Sequence, residues 1–320
     1  MPEIPLRAVS DGVTLGGSLW LPDIGATQGL LLMHPGSGPS DRDNDVLFPP
    51  IRAAVLARNV AVCSFDKRGV GGSEGRWTDA GILTQAADLL AGLAAARAAL
   101  VDAGHDGPVG LFGHSQGGWV VLEAAGDPQV EFVITNSGPA VTPAEQERYS
   151  TRNRLVAASW SSDDVDDALA FLDLIFELVD SQPFEKGAAV LQEHRALADR
   201  LAALGAFLPD LPELWSFAKA ILRHDPRHAI QSLTVPLLAL YGARDPIVPV
   251  AQSATLLGSL ADPKLLNVRV LPDGDHRLHE PASDQFVPDY LMTVADFVEV
   301  QCRLGQSRKA SAKINWKLCT

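Results

Sequence analysis

The sequence predicts an α/β fold in which helices flank a mostly parallel central sheet. Short apolar runs alternate with helix-like stretches from about residue 28 to about residue 137, which is the pattern of strands joined by crossover helices. Only helix-like stretches follow at residues 138–231. Two more apolar runs then appear, at residues 237–241 and 268–271. The pattern therefore indicates one sheet with a helical segment inserted between its strands.

Three strand segments before the insertion each lead into a distinctive loop. Residues 29–33 are the apolar run Gly-Leu-Leu-Leu-Met, and His-Pro-Gly-Ser-Gly-Pro follows. Residues 60–65 lead into Asp-Lys-Arg-Gly-Val-Gly-Gly-Ser, and residues 108–112 lead into Gly-His-Ser-Gln-Gly. Because ligands of open α/β sheets bind at the carboxyl ends of the strands, these loops are the places to look for an active site.

The predicted domain organisation has three parts. Residues 1–137 and 232–303 form the sheet core, residues 138–231 form a helical cap, and residues 304–320 form a basic, poorly ordered extension. The cap is expected because its helix-like stretches are separated by breaks that contain Ser, Pro or Gly. A chain of 320 residues, 47% of them hydrophobic, is also long for one average domain. Such a cap covers the active site and selects its substrates.

A serine with the spacing of a nucleophile elbow follows the third strand segment. Ser115 is the centre of Gly113-His114-Ser115-Gln116-Gly117, and a helix-like stretch begins directly afterwards. The strained strand-to-helix turn of an elbow needs small residues two positions before and two positions after the nucleophile. An ordinary turn between a strand and a helix is the alternative interpretation. In an elbow, Ser115 attacks a carbonyl carbon and forms a covalent acyl-enzyme.

An acid and a base lie after the two later strand segments, in the chain order that this nucleophile requires. Asp245 follows residues 237–241, and His276 follows residues 268–271. A neutral imidazole accepts the serine proton during attack, and a carboxylate on its other ring nitrogen fixes its tautomer. Asp245 and His276 are therefore predicted to form a catalytic triad with Ser115.

Other residues near these positions remain alternatives. His279 lies three positions after the favoured histidine and is a second candidate base if the loop register differs. Asp273 and Asp275 could orient an imidazole, although a turn-forming role is the simpler explanation for both. His114 is expected to pack or hydrogen-bond behind the nucleophile rather than to act as the base.

These motifs and their order resemble the α/β-hydrolase superfamily of serine esterases from about residue 5 to about residue 303. The His-Pro-Gly-Ser-Gly-Pro segment looks like the oxyanion loop of that family, and residues 66–73 resemble its Asp-x-Arg-Gly-x-Gly-x-Ser loop. The resemblance implies the α/β-hydrolase fold with an inserted helical cap. It also implies an oxyanion hole of two backbone N–H groups, which are predicted to be those of Ser37 and Gln116.

The resemblance leaves the substrate open, because the same triad on this fold cleaves esters, lactones, thioesters and some amides. The loop motifs look most like those of small bacterial carboxylesterases. The cap and the basic tail are also similar to serine-dependent macrolide esterases of mobile resistance cassettes, which implies opening of a macrolide lactone ring. The alternatives are a general short-chain carboxylesterase, a peptidase or amidase, and a non-catalytic ligand receptor on the same fold.

Aromatic residues of the helical segment are the candidates for a substrate pocket. Trp160, Phe207, Trp215 and Phe217 are predicted to line it, with packing inside the cap as the alternative interpretation. Apolar residues within 171–179 recur at helical spacing, which indicates packing rather than contact with a ligand.

Composition and charge limit the partners of the chain. A net charge of -13 argues against a nucleic-acid or anionic-membrane surface. The calcium-like run at residues 41–45 has Val46 at the position where a calcium loop needs glycine, and no nucleotide-binding or redox motif occurs. We therefore expect no metal, no cofactor and no required protein partner, and a small-molecule ester or lactone as substrate.

Cysteine use and hydropathy bear on the location of the protein. Cys63, Cys302 and Cys319 are widely spaced and odd in number, which favours a reducing compartment over a disulfide framework. The N-terminus lacks the apolar core of a secretory signal. The most apolar helix-like run, residues 168–179, is too short to cross a bilayer. A cytoplasmic protein without a membrane segment is the expectation.

Overall fold

The computed structural model describes residues 2–23, 27–102 and 105–318, and the side chains of these residues except 102 and 309–318. The strands are β1 (Glu3–Ser10), β2 (Val13–Trp20), β3 (Leu30–His34), β4 (Ala61–Phe65), β5 (Val109–His114), β6 (Val130–Asn136), β7 (Leu237–Gly242) and β8 (Leu266–Leu271). Within the described ranges they form one eight-stranded sheet in the order β1-β2-β4-β3-β5-β6-β7-β8. β1 pairs antiparallel with β2, and β2 with β4, whereas all later pairs are parallel. The predicted mostly parallel sheet is confirmed.

Helices cover both faces of this sheet. They are α1 (Phe48–Leu56), α2 (Ile82–Asp102), α3 (Gln116–Ala124), α4 (Pro143–Ala157), α5 (Ser162–Ser181), α6 (Phe184–Glu193), α7 (Arg195–Ala203), α8 (Pro212–Ile221), α9 (Arg227–Gln231), α10 (Val250–Leu260) and α11 (Tyr290–Leu318). Because side chains alternate along a strand, Leu30 and Leu32 join an apolar cluster with α2 and α3, while Leu31 and Met33 join a second cluster with α1 and α11. Helices on both faces explain why every residue of β3 is buried.

The N-terminal hairpin of β1 and β2 is a feature that the strand patterns did not single out. Its two-residue turn consists of Asp11 and Gly12, with φ angles of 47° and 77°. An Asp-Gly pair with both φ angles positive is favoured in tight hairpins because its twist matches that of the flanking strands. The hairpin adds the antiparallel edge to an otherwise parallel sheet.

The helices α4 to α8, called the helical block below, follow β6 in the chain and share an apolar cluster of their own. A capping box starts α4: the Thr142 hydroxyl accepts from the Glu145 N–H at 3.3 Å, and the Glu145 carboxylate accepts from the Thr142 N–H at 2.9 Å. The long helix α5 buries one apolar face, which includes Leu169, Leu172 and Ile175. This cluster is distinct from the two that cover the sheet.

The last helix continues past residue 303, where the sequence suggested that the core ends. α11 runs to Leu318 and so includes most of the segment 304–320 that was expected to be poorly ordered. Val294, Val298 and Cys302 anchor it in the cluster of α1. Cys319 lies outside the described residues. Within the described ranges, none of the helices combines the length and hydropathy needed to cross a bilayer.

Candidate active site

Ser115 occupies the sharp turn between β5 and α3. Its backbone angles, φ 52° and ψ -120°, are strained for any residue with a side chain. Two glycines make this turn sterically possible. A Cβ atom at Gly113 would lie 2.0 Å from Gly117 O, and one at Gly117 would lie 2.6 Å from His34 O. The Ser115 N–H donates to Asn136 O at 2.9 Å, which ties the turn to β6.

Asp245 and His276 are in hydrogen-bond contact just after the neighbouring strands β7 and β8. His276 Nδ1 lies 2.8 Å from Asp245 Oδ2. Asp245 Oδ1 accepts from the N–H groups of Ile247 at 2.8 Å and Val248 at 3.0 Å. The Asp245 side chain is fully buried, and the imidazole is 14% exposed. The carboxylate is therefore fixed by backbone donors on one oxygen and oriented toward the imidazole with the other.

Ser115 and His276 line the same cavity. They meet there because β5, β6, β7 and β8 are parallel neighbours, so the loops at their carboxyl ends converge. No hydrogen bond joins the Ser115 hydroxyl to the imidazole in this structure. Such bonds are often long in the absence of substrate and tighten only when substrate binds.

The alternative acids and bases have other contacts. The His279 ring packs against Phe286 with a centroid distance of 4.7 Å, and His279 is not among the described residues that line the cavity. Asp275 Oδ1 accepts two backbone N–H groups of its own loop, at 2.7 and 2.9 Å, which is the turn-forming role. The Asp273 side chain is 72% exposed. The geometry thus favours Asp245 and His276 over these three residues.

His114 is buried behind the serine. Its Nδ1 lies 2.9 Å from Asn136 Nδ2, while Tyr290 Oη donates to Asn136 Oδ1 at 2.7 Å. Burial, followed by the nearby His276 and Arg277, holds the pKa of His114 well below its ordinary value. A ring that stays neutral and is bound in this way supports the elbow from behind.

Ser37 and Gln116 line the cavity together with Ser115. A Cβ atom at Gly36 would lie 3.5 Å from Ser115 Cβ, so the loop after β3 lies directly against the elbow. Gln116 begins α3, where a backbone N–H has no acceptor within the helix and the helix dipole is positive. Neither the Ser37 N–H nor the Gln116 N–H donates to any residue that the structure describes. Both are available to a ligand atom beside Ser115.

The cavity has a volume of about 770 Å³ and lies between the loops of the sheet and the helical block. Two of the four residues proposed for a substrate pocket, Phe207 and Phe217, line it. Trp160 and Trp215 are not among its described lining residues, and this is a correction. The Trp160 ring stacks under the Arg200 guanidinium at 3.9 Å. Trp215 is 4% exposed in the apolar cluster of the helical block, and its indole donates to Gln182 O.

Sequence reasoning missed several lining residues. Trp77 and Trp119 line the cavity from the sheet side, and four polar residues of α4 line it from the helical block: Gln146, Glu147, Ser150 and Arg154. Burial raises the pKa of Glu147 despite a hydrogen bond from the Phe207 N–H at 2.9 Å. Trp119 lies four residues after Ser115, and this spacing could have suggested that it lines the cavity. No pattern in the sequence indicated that Trp77 does so.

A partly buried ion pair between Arg42 and Asp66 holds the loop at residues 41–45 in place. Asp66 accepts from the Arg42 backbone at 2.8 Å and from its guanidinium at 3.0 and 2.5 Å, and also from the Gly72 N–H at 2.8 Å. Burial raises the pKa of Asp66, but these hydrogen bonds outweigh it and lower the pKa overall. Within the described ranges, no group of three or more His, Cys, Asp or Glu side chains could hold a metal ion.

Comparisons with known proteins agree with this architecture. A family model described as the alpha/beta hydrolase family matches residues 30–289. Among solved structures, the chain is similar to an esterase from Pyrococcus furiosus, with 15% identity, a TM-score of 0.59, and coverage of 95% of this chain and 91% of that chain. It is also similar to a proline iminopeptidase from Mycobacterium smegmatis, with 16% identity, a TM-score of 0.61, and coverage of 94% and 99%.

A third similar structure is the alpha/beta hydrolase domain-containing protein 10 from mouse, with 20% identity, a TM-score of 0.57, and coverage of 95% of this chain and 100% of that chain. No curated protein matches the sequence. At these identities the likeness to solved structures shows the fold alone. The predicted α/β-hydrolase fold is confirmed.

Proposed function

Because the chain belongs to the alpha/beta hydrolase family, we propose that it is a serine hydrolase that cleaves a carboxylic ester or lactone through an acyl-enzyme on Ser115. One observation carries the proposal. Ser115, held in a strained turn, shares a cavity with an imidazole that Asp245 binds at 2.8 Å. A hydroxyl, an imidazole and a carboxylate arranged around one cavity are the components of nucleophilic acyl transfer.

In the acylation step, Ser115 Oγ attacks the carbonyl carbon while His276 Nε2 takes the hydroxyl proton. Asp245 stabilises the resulting imidazolium through Nδ1. The imidazolium then returns the proton to the leaving alkoxide as the C–O bond breaks. A water molecule, activated by the same imidazole, hydrolyses the acyl-enzyme and frees Ser115. When the substrate is a lactone, the leaving hydroxyl stays covalently attached to the acyl group, and the product is the substrate plus one water.

The negative oxygen of the tetrahedral intermediate needs donors that are already in position. The N–H groups of Ser37 and Gln116 are proposed for this role, because both residues line the cavity beside Ser115 and both N–H groups lack an acceptor among the described residues. The N-terminus of α3 adds a favourable dipole at the same point.

Cavity size and lining support a large substrate with one apolar and one polar side. At about 770 Å³ the cavity lies in the upper part of the usual range of roughly 300–1,000 Å³ for ligand pockets, and a short-chain ester would leave most of it empty. Trp77, Trp119 and Phe217 offer an apolar wall, and α4 offers a polar one. A macrolide lactone fits this description, and we propose it as the substrate class; a general short-chain carboxylesterase is the second candidate.

Mass spectrometry of macrolides of smaller and larger ring size, incubated with the wild-type protein and with Ser115→Ala, tests the proposal directly. A short-chain p-nitrophenyl ester and a p-nitroanilide are assayed alongside. We expect a macrolide to gain one water with the wild-type protein only. The loss in Ser115→Ala should be several orders of magnitude, because attack by the serine is removed while folding is retained.

Ser137→Ala is the matched control. Ser137 also has a positive φ, 51°, and a buried hydroxyl without a partner among the described residues, but it does not line the cavity. Its replacement should leave turnover unchanged. Turnover of the simple ester alone identifies a general carboxylesterase, and turnover of the anilide favours an amidase. Ester hydrolysis that survives in Ser115→Ala contradicts the proposed nucleophile.

A further inference from the structure

Lys67 is a buried lysine next to the proposed oxyanion hole. It follows β4 and Asp66 in the chain and is 7% exposed. Its Nζ donates to Gly36 O and, at 2.9 Å, to Gln116 Oε1. Lysine is rarely buried because its ammonium is strongly hydrated, so its burial here calls for a local reason.

One acceptor of Lys67 belongs to the peptide unit that presents the Ser37 N–H, and the other is the side chain of Gln116, the second proposed donor residue. The carbonyl of Gly36 and the N–H of Ser37 are in one planar peptide unit and point in opposite directions across it. Holding Gly36 O therefore sets the direction of the Ser37 N–H. The second bond holds the side chain of Gln116, whose backbone N–H is the other donor.

We propose that Lys67 is a positioning residue for the oxyanion hole: hydrogen bonds from its one buried Nζ orient the peptide unit of the Ser37 N–H and hold the side chain of Gln116. The inference rests on the proposed function and adds a residue to its site. Lys67 acts through Ser37 and Gln116 and makes no contact with the reacting atoms.

The charge of Lys67 is not neutralised by its surroundings. None of the described carboxylates lies within ion-pair distance of its Nζ. Asp66 and Asp88, which line a small cavity together with Lys67, are already paired, since Asp66 binds Arg42 and Asp88 binds Arg68 at 2.7 and 2.8 Å. His34 on β3 is neutral, because burial and then the charge of Lys67 lower its pKa to about 3.

The loop does not depend on Lys67 Nζ for its path. Asn44 Oδ1 accepts from the Gly36 N–H at 3.2 Å, the Lys67 N–H donates to Ser40 O at 3.1 Å, and the Arg42–Asp66 pair closes the other side. Removal of the ammonium should therefore leave the loop in place while its Gly36–Ser37 peptide becomes free to rotate. A variant that keeps the path of the loop but loses activity would therefore show a positioning role for Lys67 rather than a purely structural one.

The test compares Lys67→Met, which keeps the length of the chain without charge or donors, with Lys67→Arg, which restores both. We expect Lys67→Met to lower kcat for the ester by about 10- to 100-fold, less than the roughly 100- to 1,000-fold seen when an oxyanion donor is removed outright. KM should change by no more than about threefold, since the ground-state carbonyl gains little from the hole. Lys67→Arg should recover part of the loss.

A trifluoromethyl ketone gives a second readout, because it forms an anionic tetrahedral adduct with the serine. Its affinity should fall in Lys67→Met by about the same factor as kcat. Arg68→Lys is the matched control: Arg68 is buried in the same loop and bonds only Asp88 among the described residues. This control should change kcat by less than about twofold.

The two proposals fail in different ways. Absence of Ser115-dependent ester hydrolysis in the wild-type protein would overturn the proposed function itself. Serine-dependent hydrolysis that is unchanged in a folded Lys67→Met variant would overturn the role of Lys67 alone. A loss of kcat without a parallel loss of inhibitor affinity would also overturn it, because an oriented oxyanion hole must affect both.

Discussion

Replacing Lys67 by methionine should change how the stability of the fold depends on pH. Burial lowers the pKa of Lys67 from its ordinary 10.5 to about 7. The unfolded chain therefore keeps a proton that the folded chain releases between about pH 7 and pH 10.5. Since the unfolded state binds more protons in this window, the free energy of unfolding of the wild-type protein rises with pH there. Below about pH 7 both states are protonated and the full cost of the buried charge is present.

The size of the effect follows from the pKa difference. Each pH unit in which the two states differ by one proton changes the free energy of unfolding by about 1.4 kcal/mol. Between pH 6.5 and pH 9, where the folded state loses its proton gradually, the rise amounts to about 2.5 kcal/mol. Methionine carries no proton, so this contribution is absent from the variant. Lys67→Met should therefore have a higher free energy of unfolding than the wild type at pH 6.5. This difference between the two proteins should be about 2.5 kcal/mol smaller at pH 9.

Urea denaturation of both proteins at pH 6.5, 7.5 and 9 measures this margin, and the titration of groups common to both cancels in the difference. Burial lowers the pKa of His34 and of His114, so neither ring titrates in this window. The nearby Asp66 and Asp88 are paired with Arg42 and Arg68. Parallel stability curves for the two proteins would refute the reasoning, because they would mean that Lys67 keeps the same protonation in the folded and unfolded states.

Two further predictions concern the triad and the glycines. Asp245→Asn should lower kcat by about 10,000-fold, because the amide nitrogen favours the wrong imidazole tautomer. Thermal stability should change little, because the amide oxygen still accepts from the N–H groups of Ile247 and Val248. Steady-state kinetics and a melting curve check this, and a near-normal kcat would move the acid role to another residue. Gly113→Ala should prevent stable folding, since its Cβ would lie 2.0 Å from Gly117 O. Gly258 is in an exposed helical position where an added Cβ would meet nothing within 4 Å, so Gly258→Ala should instead stabilise the protein by about 0.5–1 kcal/mol. Equal melting temperatures for the two glycine variants would contradict the steric argument.

Local sequence patterns were sufficient for the elbow. The glycines on either side of Ser115 are required by the backbone of the turn itself, so the spacing carries the geometry. Asp245 and His276 were also marked locally, because each lies in the loop that follows an apolar strand segment. The distance of 2.8 Å between Asp245 Oδ2 and His276 Nδ1 depends on the pairing of β7 with β8, which is seen only in the structure.

The pocket was predicted less well, for a physical reason. Helical periodicity shows that a helix has a buried face, but it does not show whether that face meets a cavity or another helix. Phe217 and Trp215 are two positions apart on α8, and only Phe217 lines the cavity, while Trp215 packs inside the helical block. The extent of α11 was missed because its last turns carry basic residues and few apolar ones.

The sequence by itself determined the fold class and the order of the candidate catalytic residues, because strand patterns and strained turns are properties of short segments. The tertiary structure alone decided which aromatic residues line the cavity and that the ammonium of Lys67 lies buried between Gly36 and Gln116. A lysine in a glycine-rich loop looks solvent-exposed in sequence. Its Nζ contacts the loop after β3 and the first residue of α3, which are 31 and 49 positions away in the chain.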